Sequence, residues 1–191
     1  MNKPIDLASA ASALLAVDST FAEPVTYHKV KVRGLGIFYR EAGSKSAQTV
    51  LLLHGFPSSS HMFRDLMPAL AANYHVIAPD YPGFRQSSAP SADTFAYTFA
   101  NLAEVVDEFT AVARLKNYVL YMQDYGGPIG LRLAVNHPER VRGLIVQNAV
   151  INVEGWNPDV VASFSPAWLN RTPETEKPLR AALNAEATKF Q

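Results

Sequence analysis

The sequence predicts an α/β fold with a mostly parallel central sheet and flanking helices. Short apolar runs and longer amphipathic stretches alternate from residue 49 to residue 148, which is the pattern of strand-helix-strand units. The segment Thr49–Leu53 reads TVLLL, as expected of a strand buried on both faces of a parallel sheet. Loops beginning at His54, Asp80 and Gln123 follow three predicted strands. In such sheets ligands bind at the carboxyl ends of the strands, so these loops mark the expected functional site.

Six strands are predicted in chain order. The first two form a hairpin, because alternating residues over 25–32 and the run 35–41 flank a turn that contains Gly34. The other four are short apolar runs at residues 49–53, 74–78, 118–122 and 143–147.

Helices fill the segments between these strands. A helix over residues 60–73 has apolar residues at helical spacing, and a second over about 97–115 has a buried stripe of Leu102, Val105, Val106, Phe109 and Val112. A third runs from the elbow after Met122 to Asn136, and weaker helices are expected over 158–169 and 173–190. We therefore predict a core over residues 25–149 and the beginning of a helical lid over 150–191.

Composition limits the function. The 191 residues are 48% apolar and 18% charged, and 17 basic residues balance 17 acidic ones, as in an ordinary globular protein rather than a nucleic-acid-binding one. Zero cysteines exclude disulfides, thiolate nucleophiles and cysteine-based metal sites. No apolar run approaches the roughly 20 residues of a membrane span. We expect a small-molecule substrate, no metal and no cofactor; the sequence does not predict the oligomeric state.

Residues 1–24 have two interpretations. Residues 7–17 form a short apolar run behind Lys3, and Thr20-Phe21-Ala22 resembles a small-residue cleavage site, which together suggest a weak secretory signal. Asp6 and the many Ala and Ser residues suit a surface extension of a cytoplasmic protein instead. The cytoplasmic interpretation is favoured, with export as the alternative.

The segment Met122-Gln123-Asp124-Tyr125-Gly126-Gly127 is the most informative motif. An apolar strand meets a polar pair, and two glycines then open a helix, which is typical of a sharp turn that presents one side chain. The presented residue is Asp124. A carboxylate is ionised at neutral pH, so it can act as a nucleophile without help from a base. The alternative role is a helix N-cap, which is common for aspartate.

Four motifs together resemble the branch of the α/β-hydrolase fold that contains epoxide hydrolases and haloalkane dehalogenases. They are HGFPSSSHMFR (residues 54–64), APDYPGF (78–84), MQDYGGPIG (122–130) and NHPERV (136–141). The resemblance implies that Asp124 forms a covalent alkyl ester with a small, largely apolar substrate. It also implies that the amides of Phe56 and Tyr125 form the oxyanion hole. Loop-shaping roles fall on His54, Gly55, Pro57, Gly126 and Gly127.

Asp80 also follows a predicted strand and could serve as a second carboxylate in acid or base chemistry, but the same resemblance assigns it a structural role in fixing its loop. It also places Arg85 where relatives usually carry glycine. Tyr125 stands where haloalkane dehalogenases usually have tryptophan, and Phe56 where many have asparagine. We therefore expect epoxide hydrolase-like chemistry first and haloalkane dehalogenase-like chemistry second. His61 is expected at the surface or in packing.

The resemblance implies that an acid and then a histidine general base follow the nucleophile in the chain, and neither is found there. His137 is the last histidine and follows the elbow helix, about 20 Å from Asp124 at 1.5 Å per residue. The sequence thus predicts the amino-terminal two-thirds of a longer hydrolase, with a natural minimal member of the fold as the alternative. A non-catalytic protein of this fold that binds a small apolar ligand is the competing function.

Overall fold

The structure is a computed structural model that describes residues 24–149 and 151–188. Its centre is a six-stranded sheet with the strand order β1-β2-β4-β3-β5-β6. The strands are β1 (Thr26–Val32), β2 (Leu35–Ala42), β3 (Thr49–Leu53), β4 (His75–Pro79), β5 (Tyr118–Gln123) and β6 (Val141–Gln147). β4, β3, β5 and β6 run parallel, whereas β1 pairs antiparallel with β2 and β2 pairs antiparallel with β4. The predicted α/β fold with a mostly parallel sheet is confirmed.

Six α-helices are described, and three short 3₁₀ helices accompany them. The α-helices are α1 (Leu66–Ala71), α2 (Phe99–Val112), α3 (Gly126–Asn136), α4 (Pro158–Leu169), α5 (Lys177–Ala182) and α6 (Ala185–Thr188). The 3₁₀ helices are Ser60–Phe63, Pro138–Arg140 and Val153–Gly155. Thr98 caps α2, because its side chain accepts a hydrogen bond from Asn101 N.

Two predicted helices are wrong as single elements. The segment 60–73 splits into the 3₁₀ helix Ser60–Phe63 and α1. Pro68 explains the break, since a proline inside one continuous helix would lack an N–H and clash with the preceding turn. The segment 173–190 contains α5 and α6 instead of one helix, and residues 189–190 lie outside the described part of the chain. Pro178 lies in the first turn of α5, the position that a helix tolerates.

Both faces of the sheet are covered by apolar side chains. On one face Leu53, Leu120 and Met122 pack with residues of α2 and α3, including Phe109 and Ile129. On the other face Val50, Leu52, Val76 and Ala78 pack with Phe63, Met67 and Ala71 around α1. The predicted stripe of α2 is buried except at Val112, which is 47% exposed because the helix ends there.

β6 is an edge strand of the sheet. It begins at Val141, two residues before the predicted start, because it pairs with β5 from Tyr118 onward. Leu144, Ile145 and Val146 are each about half exposed. Among the described strands it therefore presents apolar side chains together with an unpaired edge.

The chain divides into two compact units at Ala149/Val150. The first contains the sheet and α1 to α3, and the second contains α4 to α6. Within the second unit Trp168 packs edge-to-face against Trp156 and Phe164. The boundary coincides with the predicted start of the lid, and the lid role stays a prediction. In the part of the chain that the structure describes, no helix is both long and apolar enough to cross a membrane.

A buried carboxylate connects the strands at the end of the sheet opposite the elbow. Glu41 of β2 accepts a hydrogen bond from His75 Nε2 at 2.8 Å, and Lys45 Nζ lies 3.1 Å from the same oxygen. His28 Nε2 lies 3.4 Å from the other oxygen. Burial alone would raise the pKa of Glu41, but the hydrogen bonds from His75 and Lys45 outweigh it and lower the pKa.

Glu41→Gln is expected to lower the free energy of unfolding by about 2 kcal/mol at neutral pH, because it removes the charge that His75 and Lys45 solvate. Since the pKa of Glu41 is lowered, this stabilisation is present above the pKa of the unfolded chain and fades as the pH falls. Urea unfolding of wild type and variant at neutral and acidic pH measures it. Glu104→Gln, in an exposed ion pair with Arg33, is the control and should cost under about 0.5 kcal/mol. Equal losses in the two variants would contradict the prediction.

Candidate active site

A two-residue turn, Asp124 and Tyr125, joins β5 to α3. β5 ends at Gln123 and α3 begins at Gly126. Between them Asp124 has φ of 49°, a left-handed backbone conformation that aspartate tolerates better than most residues. Gly127 N donates to the Asp124 carbonyl at 2.9 Å and closes the turn. The predicted sharp turn with Asp124 at its apex is therefore present.

The alternative role of Asp124 as a helix N-cap does not agree with the structure. Tyr125 occupies the N-cap position of α3, and no side-chain cap bond is present there. The Asp124 carboxylate instead accepts a hydrogen bond from Phe56 N, with 2.7 Å between Phe56 N and Asp124 Oδ1. It is directed at the loop after β3 rather than at its own helix.

The β3–β5 register explains this meeting. Leu53 lies opposite Met122 at the last position of β3, so the loops that follow the two strands run side by side. Gly55 permits the close approach, because a Cβ at that position would lie 2.5 Å from Asp124 Cβ. Gly126 does the same against β3, since its Cβ would lie 2.2 Å from the Leu53 carbonyl oxygen.

The remaining loop positions are also closely packed. A Cβ at Gly127 would lie 2.7 Å from Ala149 Cβ. Pro57 follows Phe56 through a cis peptide bond. Ser58 N donates to the Gly55 carbonyl at 3.1 Å, so the chain turns at Phe56 and Pro57. The loop thus holds the Phe56 amide towards β5.

Among the described residues the hydrogen bond to the Asp124 side chain comes from Phe56 alone. The second predicted amide, that of Tyr125, is adjacent in the chain but does not bond to this carboxylate. Burial raises the pKa of the Tyr125 phenol, and the Asp124 charge raises it further. The phenol therefore keeps its proton at neutral pH.

His54 lies buried beneath the elbow. Its Nδ1 is 2.9 Å from the Gly55 carbonyl, and Tyr81 N lies 3.4 Å from Nε2. These contacts assign the proton to Nδ1, which donates, and leave Nε2 as acceptor. Burial lowers the pKa of His54 to about 4, although the charges of Asp80 and Asp124 act in the opposite direction. A neutral imidazole with both nitrogens engaged is a loop support and not a general base.

The His54 environment predicts a loss of stability in acid. Because the pKa is lowered on folding, the unfolded chain binds the proton first, so stability is complete above about pH 6.5 and falls towards pH 4. Between about pH 7.5 and pH 5 we expect a loss of about 2 kcal/mol from this group. Urea unfolding of wild type and His54→Asn across this range measures it. If the free energy of unfolding of His54→Asn falls with pH as steeply as that of wild type, His54 is not the group responsible.

Asp80 supports the neighbouring loop, as the sequence predicts. Its Oδ1 accepts from Ser60 N at 2.8 Å and its Oδ2 from Gln86 N at 3.2 Å, and the residue is fully buried. Arg85 has φ of 34°, so the position where relatives usually carry glycine does require a left-handed backbone.

The other histidines are engaged elsewhere. His61 is exposed and its Nδ1 lies 3.3 Å from a nitrogen of Arg40. His137 Nε2 lies 3.0 Å from Asp107, which also binds Arg140. His28 and His75 flank Glu41. Over residues 24–149 and 151–188 no histidine hydrogen-bonds to Asp124, and no cluster of His, Cys, Asp or Glu is arranged to hold a metal ion.

Sequence reasoning missed two aromatic residues near the elbow, Phe84 and Phe99. Phe99 packs edge-on against Tyr125 with 4.8 Å between ring centroids. Phe84 packs edge-on against Phe56 with centroids 6.2 Å apart. Phe84 stands in the recognised APDYPGF motif, but Phe99 carries no local signal because only the packing of α2 brings it to the site.

Comparison with known proteins agrees with the fold. The chain matches the alpha/beta hydrolase fold family over residues 48–187. It is 41% identical to an uncharacterised hydrolase of Saccharomyces cerevisiae over 138 residues, which is 69% of this chain and 47% of that protein. It is 34% identical over 132 residues to a haloalkane dehalogenase of Bradyrhizobium diazoefficiens, covering 69% of this chain and 42% of that one.

The crystal structure of an ancestral haloalkane dehalogenase superposes with a TM-score of 0.70 at 31% identity, over 82% of this chain and 55% of that one. The chain thus spans about half or less of the length of the curated relatives it matches. The sheet order, the strand-turn-helix elbow and the family match over most of the sequence lead to one conclusion. The chain belongs to the α/β-hydrolase fold family.

Proposed function

We propose that this protein is a hydrolase that uses Asp124 as a nucleophile on a small, largely apolar substrate and forms a covalent alkyl ester. The observation that carries the proposal is the Asp124 carboxylate itself. It is held at the apex of a left-handed elbow, and one of its oxygens lies 2.7 Å from the Phe56 amide. A carboxylate with only a structural role in α3 would cap that helix instead.

The two carboxylate oxygens take different parts. Oδ1 is occupied by the Phe56 amide, so Oδ2 attacks the saturated carbon. The new bond joins Oδ2 to that carbon, and the bond that breaks there gives its electron pair to the group it releases. A halide leaves as an ion, whereas the oxygen of an opened epoxide stays on the neighbouring substrate carbon as an alkoxide that then takes a proton. Water next attacks Cγ of the ester, and negative charge develops on Oδ1, where the Phe56 amide stabilises it.

Two electrophile classes fit this chemistry, and epoxides are preferred. Tyr125 follows Asp124 in the chain, and we propose its phenol as the proton donor to the alkoxide; burial and the Asp124 charge raise the pKa of this phenol, so it is protonated at neutral pH. Haloalkanes come second. They are supported by the name of the Bradyrhizobium relative, whereas Phe56 and Tyr125 differ from the residues that dehalogenases usually carry.

Hydrolysis of the ester requires a general base. Among the described residues no histidine reaches Asp124, and His54 is neutral and fully bonded. We therefore propose that the ester persists on this 191-residue chain.

Intact-mass spectrometry after incubation with a 1,2-epoxyalkane or a 1-bromoalkane tests the proposal. One added substrate group, located on Asp124 by peptide mapping, is the expected result. No adduct on Asp124 with either reagent would contradict the nucleophile, and steady multiple turnover would contradict the persistence of the ester.

A non-catalytic role in binding a small apolar ligand is the second candidate. All five histidines bond to partners other than Asp124, which favours it. Saturable binding of an alcohol or epoxide without any mass change at Asp124 would select this candidate over the first.

A further inference from the structure

Phe56 places an aromatic ring directly beside the nucleophile. Its backbone amide bonds to Asp124, so its side chain starts within a few ångströms of the carboxylate. The residue is 41% exposed, although apolar side chains of this size are usually buried. An exposed phenylalanine next to a presented carboxylate is a candidate for contact with a ligand.

Phe56 belongs to a continuous set of four rings, the aromatic wall (Phe56, Phe84, Phe99 and Tyr125). The rings of Phe56 and Tyr125 stack with centroids 5.4 Å apart and planes 24° apart. Phe84 meets Phe56 at 88°, and Phe99 meets Tyr125 at 84°, so both outer rings pack edge-on. These contacts hold the stacked pair in one orientation.

The two residues whose amides were predicted to form the oxyanion hole are therefore also the two stacked members of the wall. Phe56 donates its amide to Asp124 and Tyr125 follows Asp124 in the chain, so both rings start from backbone next to the carboxylate. Aromatic rings prefer offset-stacked and edge-to-face contacts with other aromatic rings, which adds to the effect of apolar burial. A saturated group of the same size gains only the burial.

We propose that the aromatic wall binds an aryl group of the substrate, so that the preferred electrophile carries a phenyl ring close to its reacting carbon. The chemical step rests on the function proposed above, whereas the binding of the ring does not.

The test compares two neutral alcohols that correspond to hydrolysis products, 2-phenylethanol and 2-cyclohexylethanol. The cyclohexyl compound has the larger apolar area, so simple burial predicts that it binds at least as tightly. The aromatic wall predicts the opposite order, with 2-phenylethanol tighter by about 2- to 10-fold. Titrations followed by protein NMR give both dissociation constants. Equal affinities, or tighter binding of the cyclohexyl compound, would overturn the proposal.

Variants locate the effect. Phe84→Leu should reduce the phenyl preference, and Phe56→Leu, tested independently, should remove it. Tyr74→Leu is the matched control because Tyr74 has nearly the same exposure, 40%, and precedes β4 at the opposite end of the sheet. It should keep the wild-type preference. Wild-type preference in a folded Phe56→Leu protein would reject the wall as the binding site.

The reaction is measured separately. Rates of Asp124 alkylation by 2-phenylethyl bromide and 2-cyclohexylethyl bromide are each divided by the rate at which free acetate reacts with the same bromide. A higher ratio for the phenyl compound would support the conclusion that the aromatic wall positions the substrate for alkylation of Asp124. Phenyl-selective binding without alkylation would reject the proposed function and keep the binding site. Alkylation of Asp124 without a phenyl preference in rate or affinity would support the proposed function and reject the aromatic wall as an aryl-binding site.

Discussion

Asp124→Asn is expected to slow alkylation of the protein by an epoxide or bromoalkane by at least about 1,000-fold, to the level of background labelling. The neutral amide is a far weaker nucleophile than the carboxylate, and removal of a nucleophile typically costs several orders of magnitude in rate. Asparagine is the informative substitution. It tolerates the left-handed φ of 49° and still offers an oxygen to the Phe56 amide.

The variant should therefore fold, with a free energy of unfolding within about 1 kcal/mol of wild type. Time-resolved intact-mass spectrometry measures the rate, and urea unfolding checks the fold. Asp93→Asn is the control, because Asp93 is an exposed carboxylate whose side chain bonds locally to Ser91. It should label at the wild-type rate. Unchanged labelling of Asp124→Asn would show that another residue is alkylated and would remove the basis of the proposed mechanism.

Local sequence pattern was enough to place the strands. Each buried strand is a short apolar run, and the pattern does not depend on knowing its neighbours. The elbow was equally predictable, because Gly126 and Gly127 lie two and three residues after Asp124 in the chain. The prediction of one helix over residues 60–73 was wrong, because the helical spacing of its apolar residues continues past Pro68, whereas the proline breaks the helix.

The contacts across the sheet could not be predicted from local sequence pattern. The hydrogen bond between Phe56 and Asp124 joins loops that are separated by 68 residues, and it follows from the register of β3 against β5. The motif resemblance suggested the Phe56 amide, but its target oxygen and the left-handed turn appear only in three dimensions. Phe99 reaches Tyr125 because α2 packs beside α3, a relationship that no local pattern contains.

Gly126→Ala is expected to destabilise the first unit by about 3 kcal/mol, which corresponds to a loss of about 6 to 12 °C in melting temperature for a chain of this size. Helix propensity alone predicts the opposite sign, since alanine stabilises a helix by about 1 kcal/mol relative to glycine. Packing decides because the new Cβ would lie 2.2 Å from the Leu53 carbonyl oxygen, and that oxygen belongs to the backbone of a central strand. Relief requires β3 and α3 to move apart.

Alanine substitutions at two other glycines provide a comparison of the loss of stability. At Gly143 a Cβ would meet Val119 at 3.9 Å, an ordinary contact, so Gly143→Ala should be close to neutral. At Gly130 the nearest atom is Met122 Sδ at 2.5 Å, and the flexible thioether can move, so Gly130→Ala should be intermediate. Urea and thermal unfolding of the three variants give the order. If Gly126→Ala proved as stable as Gly143→Ala, then the close approach of α3 to β3 would not hold Asp124 against the Phe56 amide. If the expected order is found, alkylation of Asp124 should also slow in Gly126→Ala, because the shift that relieves the clash moves the elbow.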